Sequence, residues 1–417
     1  MLWALLWEWL RGMVAGAAFL HFRKLKGNST MRNSIVLGVF ATALFAHLAI
    51  AQNEVRIGMI TTLSGPAGYL GEDVRDGFQL AVDEEKGKLG GIPVRTLVED
   101  DGLKPGQGKE IANRFLGTEK VKVLTGFIFS NVLAAVAPDA FEAGAFVISP
   151  NAGPSNFAGK DCNKLYFVTS WQNDAVFEAA GQNATNLGKK RGYVLAPNYQ
   201  AGKDAIAGFK RFFKGEIVGE TYTRLDQTDF GPEMAQIRAA NPDAVFQFHP
   251  GGLGITFIKQ YVQAGLRDTP MFVGGSGLDR RILTAVGQAA QGVNITSQWN
   301  ADFDNPASRA FVAAFETKYK RVPDSYASQG YDTARLLASA LKAVHGDLSN
   351  SDSLRQALLK ADFVSVRGAF RFARNQHPIQ DLYALRAMKD ASGALDIKTI
   401  GKVLSDHTDA YGAACNL

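Results

Sequence analysis

The residues best suited to chemistry lie in six loops rich in glycine, serine, asparagine and proline: 61–71, 126–132, 150–155, 197–202, 249–254 and 274–279. Each follows a short apolar run and precedes a helical pattern. Helices that begin in such loops leave their first backbone amides unpaired, which makes the joins natural anion sites. Tyr69, Phe127, Phe129 and Tyr199 are interspersed among the donors. A small carboxylate is the natural partner for this combination. Any one loop taken alone reads equally well as a turn; six on one rim make the joint case.

Catalysis has less support. Gly274-Gly275-Ser276-Gly277-Leu278 departs from a nucleophile elbow at Leu278. No Walker loop occurs, and Gly251-Gly252-Leu253-Gly254 lacks the further glycine of a dinucleotide fingerprint. Beyond residue 51 the histidines are His249, His345, His377 and His407, none paired as His-x-x-x-His or set beside a cysteine. A metal site therefore has no nucleus. His249 follows an apolar strand at the rim and could act as a base, but such a histidine more often forms a polar wall. The expectation is a binding protein with no catalytic residue, no metal and no cofactor.

The elements that must position these loops alternate. Apolar runs at 55–60, 94–99, 121–125, 146–149, 165–169, 193–196, 217–223, 245–248, 271–273 and 293–296 are separated by helical patterns, the signature of βαβ units. Three helical segments then follow without strands (306–320, 326–344 and 353–360), before β character returns at 369–372, 382–388 and 399–404. Ten consecutive parallel strands in one sheet would be unusual. Two sheets of about five fit better, with crossings near Ser170-Trp171-Gln172-Asn173 and Gln298-Trp299-Asn300. The predicted fold is α/β, with two doubly wound parallel-sheet lobes joined by a multi-strand hinge. Lobe 1 would comprise 52–170 plus 300–368, and lobe 2 would comprise 171–299 plus 369–417. Several short crossings make a hinge, and a hinge implies closure around a ligand.

Met31-Arg32, the apolar run 35–50 and the small-x-small site Ala49-Ile50-Ala51 read as a signal peptide over residues 31–51. Residues 1–30 read as sequence upstream of the true start. Removing residues 1–51 takes five of the 45 basic residues and one of the 40 acidic ones, leaving 40 against 39. No basic patch for nucleic acid or membrane survives, and no stable membrane insertion is expected of the mature chain. Hydrophobic content of 46% excludes wholesale disorder. The two cysteines, Cys162 and Cys415, form an even count in an oxidising compartment, which favours a disulfide. Closing so long a loop has a chain-entropy ceiling on the order of 5 kcal/mol.

From Arg56 to Gly77 the chain runs through an apolar strand, Ser64-Gly65-Pro66, and a helix carrying Arg75, Gly77 and Ala81. Together with Gly126-Phe127-Ile128-Phe129-Ser130, Ile148-Ser149-Pro150-Asn151-Ala152-Gly153 and Ala327-Ser328-Gln329-Gly330-Tyr331-Asp332, it resembles periplasmic solute-binding proteins of the leucine/isoleucine/valine-binding family over about 54–404. That resemblance implies the type I periplasmic binding fold, a periplasmic location, and inner-membrane ABC permease subunits as partners. It also implies that Ser130, with Asn151, Ala152 and Gly153 from the next loop, holds the ligand carboxylate, and that Tyr199 closes from the second lobe. Leu70 falls where amino-acid binders often place a tryptophan. Ser276 stands where they carry the glutamate that pairs the ligand ammonium, and an ammonium buried without a carboxylate would be expensive. With Phe127, Phe129, Tyr199 and Trp171 nearby, the chain most resembles the branch that binds aromatic acids. Branched-chain amino-acid binding, a periplasmic ligand sensor and a secreted hydrolase using Ser276 are the alternatives.

Overall fold

Val55–Thr61 (β1) shows why the first lobe forms. Every residue except Arg56 is buried, as a strand covered on both faces requires. The computed structural model describes residues 54–417; the signal-peptide and upstream-start readings lie outside the described residues. β1 pairs in parallel with Ile92–Asp100 (β3) and Val123–Thr125 (β4). Phe146–Ser149 (β5) and Tyr166–Val168 (β6) extend this side of the sheet. Lys88–Leu89 (β2) hairpins antiparallel onto β3, giving the order β2-β3-β1-β4-β5-β6.

The second sheet has a parallel centre of Arg191–Pro197 (β7), Glu216–Thr223 (β8), Ala244–Gln247 (β9), Met271–Gly274 (β10) and Asn294–Ser297 (β11). Arg371–Phe372 (β12), Pro378–Lys389 (β13) and Leu395–His407 (β14) add antiparallel pairings at one end. The lobes are thus α/β and dominated by parallel pairing. They hold six and eight strands rather than about five each, because antiparallel hairpins extend both sheets.

The helices that follow β11 return to the first sheet. Leu336, Leu337 and Leu341 of helix Ser325–Ala343 share a core with Val55, Ile57 and Phe78. Helix Gly68–Glu84 meets this helix through reciprocal glycines. A Cβ on Gly77 would stand 1.9 Å from the Ala327 carbonyl oxygen, and one on Gly330 would stand 1.9 Å from that of Val74. Backbone cannot yield as a flexible side chain would. Gly330→Ala is therefore expected to lower stability by about 1–3 kcal/mol, although alanine in a helix interior would by itself add about 1 kcal/mol. Urea unfolding checks this; a variant as stable as the parent would mean that the two helices can part freely.

Cys162 and Cys415 form the expected disulfide, with Cα atoms 5.6 Å apart across 253 residues of sequence. The tail beyond β14 reaches it by passing Asp174, which accepts a hydrogen bond from the Tyr411 hydroxyl at 2.7 Å. No helix among the described residues is long and apolar enough to cross a membrane.

Candidate functional site

Loops at the carboxyl ends of strands from both sheets face one another, where ligands of open α/β sheets sit. Ser130 opens helix Ser130–Glu142 after β4, Asn151 follows β5, Tyr199 precedes helix Gln200–Phe212, and Ser276 follows β10. With Phe129 they line one narrow cavity of about 20 Å³. Trp171, Phe177, Phe248 and Tyr326 complete an aromatic wall, and no charged side chain lines the space.

The donors of this cavity are set by Asn173, at the start of helix Asn173–Asn186. Its Nδ2 donates to Ser130 Oγ at 3.1 Å and to Asp204 Oδ2 at 2.9 Å. Its Oδ1 accepts from the Gly153 amide at 3.0 Å. Because Ser130 Oγ already accepts, its own hydroxyl hydrogen is left to be given to a ligand. Asp204 also accepts from Ser155 Oγ at 2.7 Å, a bond between the short helix Ser155–Ala158 after β5 and helix Gln200–Phe212 after β7. Burial pushes the Asp204 carboxyl above its ordinary value. Burial, followed by the nearby Asp204 charge, pushes the Tyr199 phenol well up, so it stays a neutral donor.

The remaining expected residues lie elsewhere or are already engaged. Leu70 is fully buried with Val74 in the core of the first lobe and does not line the cavity. The Ala152 amide donates to the Phe127 carbonyl at 3.1 Å, and the Ala152 carbonyl accepts from Tyr166 at 2.8 Å. Gly153 packs where a Cβ would stand 2.3 Å from the Trp171 carbonyl, and Asn173 takes its amide. Asn151 gives its Nδ2 to the Ile128 carbonyl at 2.8 Å, while its Oδ1 is buried and unpartnered. What its side chain offers the cavity is therefore an acceptor. Phe127 belongs to the core. Asp279 caps helix Arg280–Val286 as its position suggested, accepting from the Ile282 amide at 2.8 Å.

His249 is fully buried, stacked on Phe257 and hydrogen-bonded to Thr223 and Gln247. Burial pushes its imidazole down to about 3, so it stays neutral, and it is not among the cavity-lining residues.

Tyr326 and Asn173 were not among the expected site residues. Tyr326 follows the cap Asp324, and its side chain lines the cavity together with Ser276. Both residues sit in the first turn of a helix, where a helix-cap signal marks a start but not what the start faces.

A second space adjoins the first. It measures about 490 Å³ and is lined by residues 64–67 after β1, Gly102 and Leu103 after β3, residues 225–228 after β8, and Gly252, Leu253 and Thr256 after β9. Phe129 and Pro250 line both spaces.

A sequence profile described as periplasmic binding protein matches residues 54–393. A Leu/Ile/Val-binding protein homolog from Brucella melitensis is 28% identical over 378 residues, covering 87% of this chain and 94% of that protein. Among solved structures, a solute-binding protein of an ABC transporter from R. palustris in complex with benzoate is 31% identical with a TM-score of 0.82. That alignment covers 88% of this chain and 100% of the other. A second R. palustris solute-binding protein, in complex with 4-hydroxybenzoate, is 26% identical with a TM-score of 0.79, covering 85% and 98%. A leucine-binding protein from Thermotoga maritima shares the fold at 22% identity and a TM-score of 0.74, covering 82% and 97%.

Proposed function

The chain belongs to the periplasmic binding protein family, and on that premise we propose that it captures a small aromatic carboxylate by lobe closure. It would work in the periplasm after removal of its leader and deliver the acid to the permease subunits of an ABC importer. The observation that carries the ligand class is the inner cavity itself, lined by neutral donors and six aromatic rings with no charged side chain. An ammonium closed into it would have no carboxylate partner, a penalty of several kcal/mol. A carboxylate would meet the Ser130 hydroxyl hydrogen, and charged groups gain about 1.5–3 kcal/mol from such a bond. The relatives crystallised with benzoate and 4-hydroxybenzoate support this reading. The resemblance to Leu/Ile/Val-binding homologues supports the rival amino-acid reading.

Lobe closure would move the units 52–170 plus 300–368 and 171–299 plus 369–417 against each other. Tyr199 and Ser276 would thereby meet Ser130 and Asn151. A thermal-shift screen of the 52–417 protein against benzoate, 4-hydroxybenzoate and leucine tests the reading. A ligand at 100 times its Kd adds about 2.7 kcal/mol. Stabilisation by the aromatic acids is expected, and Ser130→Ala should weaken their binding about 10- to 100-fold. Stabilisation by leucine alone would overturn the ligand class.

A further inference from the structure

Helix Gly252–Gln263 follows β9 of the second sheet. A helix start leaves its first amides unpaired, and Gly251 at the N-cap has no side chain to offer them. The Gly252 amide instead donates to the Pro66 carbonyl at 3.1 Å. Pro66 lies in the loop after β1 of the first sheet, so backbone bonds to backbone from one lobe to the other. The approach leaves no room for a side chain. A Cβ on Gly252 would stand 2.5 Å from the Pro66 Cβ, and one on Gly251 would stand 3.1 Å from the Ala67 Cα. Tyr69 and Asp279 also bond across the lobes, but through side chains that can turn away. Two backbone segments in contact fix a least separation. Gly251, at φ 65° and ψ −138°, holds a conformation that suits glycine alone. Gly252 has no positive φ, so Gly252→Ala fits its own helix and acts on the approach of the lobes.

Resting on the lobe-closure reading, we propose that the contact of Pro66 with Gly252 is the stop and latch of the cleft. It sets how far the lobes close, and through that how long a ligand is retained. Gly252→Ala would part the two backbones by about 1 Å before ordinary van der Waals contact returned. That shift takes the hydrogen bond beyond its useful range. Tyr199 and Ser276 would then stand off from Ser130 and Asn151. The lobes close on a ligand already met, so the loss falls on dissociation rather than on encounter.

Calorimetric and stopped-flow titration of the 52–417 protein with benzoate, 4-hydroxybenzoate, cinnamate and leucine tests this, read with whichever binds tightest. Gly252→Ala is expected to weaken binding about 10- to 100-fold. Its koff should rise by that factor while kon stays within about threefold of the parent, and the unligated variant should melt with the parent. Pro66→Gly removes the Cβ that Gly252→Ala meets and keeps the carbonyl. In the Pro66→Gly background Gly252→Ala should therefore cost less than about threefold. Loss of a direct contact between residue 252 and the ligand would persist in that background. Parent-like affinity in Gly252→Ala, or an undiminished loss beside Pro66→Gly, would overturn the latch. A lower melting temperature of unligated Gly252→Ala would place its effect in the fold and overturn it too. Leucine as the only binder would overturn the aromatic ligand class, and the latch would still be decided by the same two ratios measured with leucine.

Discussion

Replacing Arg367 with methionine is expected to lower stability by about 3–5 kcal/mol, the usual effect of removing one partner of a buried ion pair. The guanidinium is 5% exposed and its partner Asp332 is 1% exposed. Arg367 Nε donates to Asp332 Oδ2 at 3.0 Å. Its Nη1 donates to the Ser170 carbonyl at 3.0 Å and to Gln380 Oε1 at 2.7 Å, and its Nη2 donates to the Thr169 carbonyl. Thr169 and Ser170 begin the first crossing, Asp332 lies on helix Ser325–Ala343, and Gln380 lies on β13. One side chain therefore ties together the segments that pass between the sheets. Methionine fills similar volume but leaves the Asp332 charge buried and two carbonyls without that donor. The double variant Arg367→Met, Asp332→Asn should recover part of the loss, because the orphaned charge is gone. Calorimetric melting checks both; a single variant melting within a degree of the parent would mean the crossings hold without the guanidinium.

The strands were legible because burial on both faces leaves unbroken apolar runs, as in Ile57, Met59 and Ile60. The terminal hairpin was read short at 382–388 and 399–404, against Pro378–Lys389 and Leu395–His407. Its outer stretches carry Gln380, Asp381, Lys389, Asp396 and Lys398, polar residues that fall below any apolar count. Two-residue β2 carries no periodicity at all. In the site, the loops that hold Ser130, Tyr199 and Ser276 were legible from the strand–helix alternation, while the residues themselves were picked out by the family resemblance. Leu70 reads differently once its spacing with Val74 and Phe78 is taken together. That series is the buried stripe of a helix, and all three side chains are in the core. Asn173 and Tyr326 depend on how the starts of helices Asn173–Asn186 and Ser325–Ala343 face the cleft, which is a tertiary fact with no local signature.

Affinity for an ionised acid is expected to fall as pH rises from 5 to 7, by up to about tenfold per pH unit. The cause is a group of carboxyls closed between the lobes beside Tyr326. Asp279 accepts a hydrogen bond from Tyr69 of helix Gly68–Glu84 at 2.7 Å. Asp73 of that helix is paired with Arg281 and Arg321, and Asp324 caps helix Ser325–Ala343. Burial, then the Asp324 charge, raises Asp279 from 3.8 to about 7, and burial with Asp324 also raises Asp73. Opening the cleft would break the Tyr69 contact and return Asp279 to water, where its ordinary value near 3.8 would apply. Between these two values the closed form holds a proton that the open form has lost. Closure is then fully favoured below about 4, weakens as pH climbs through the window, and changes little above about 7. Asp279→Asn keeps an acceptor for Tyr69 but cannot titrate, so its affinity should vary less than about threefold over the same range. Titrations at pH 5, 6 and 7 with cinnamate decide the matter. Equal affinity at the two ends in the parent, or an unchanged slope in Asp279→Asn, would show that closure is not coupled to this carboxyl.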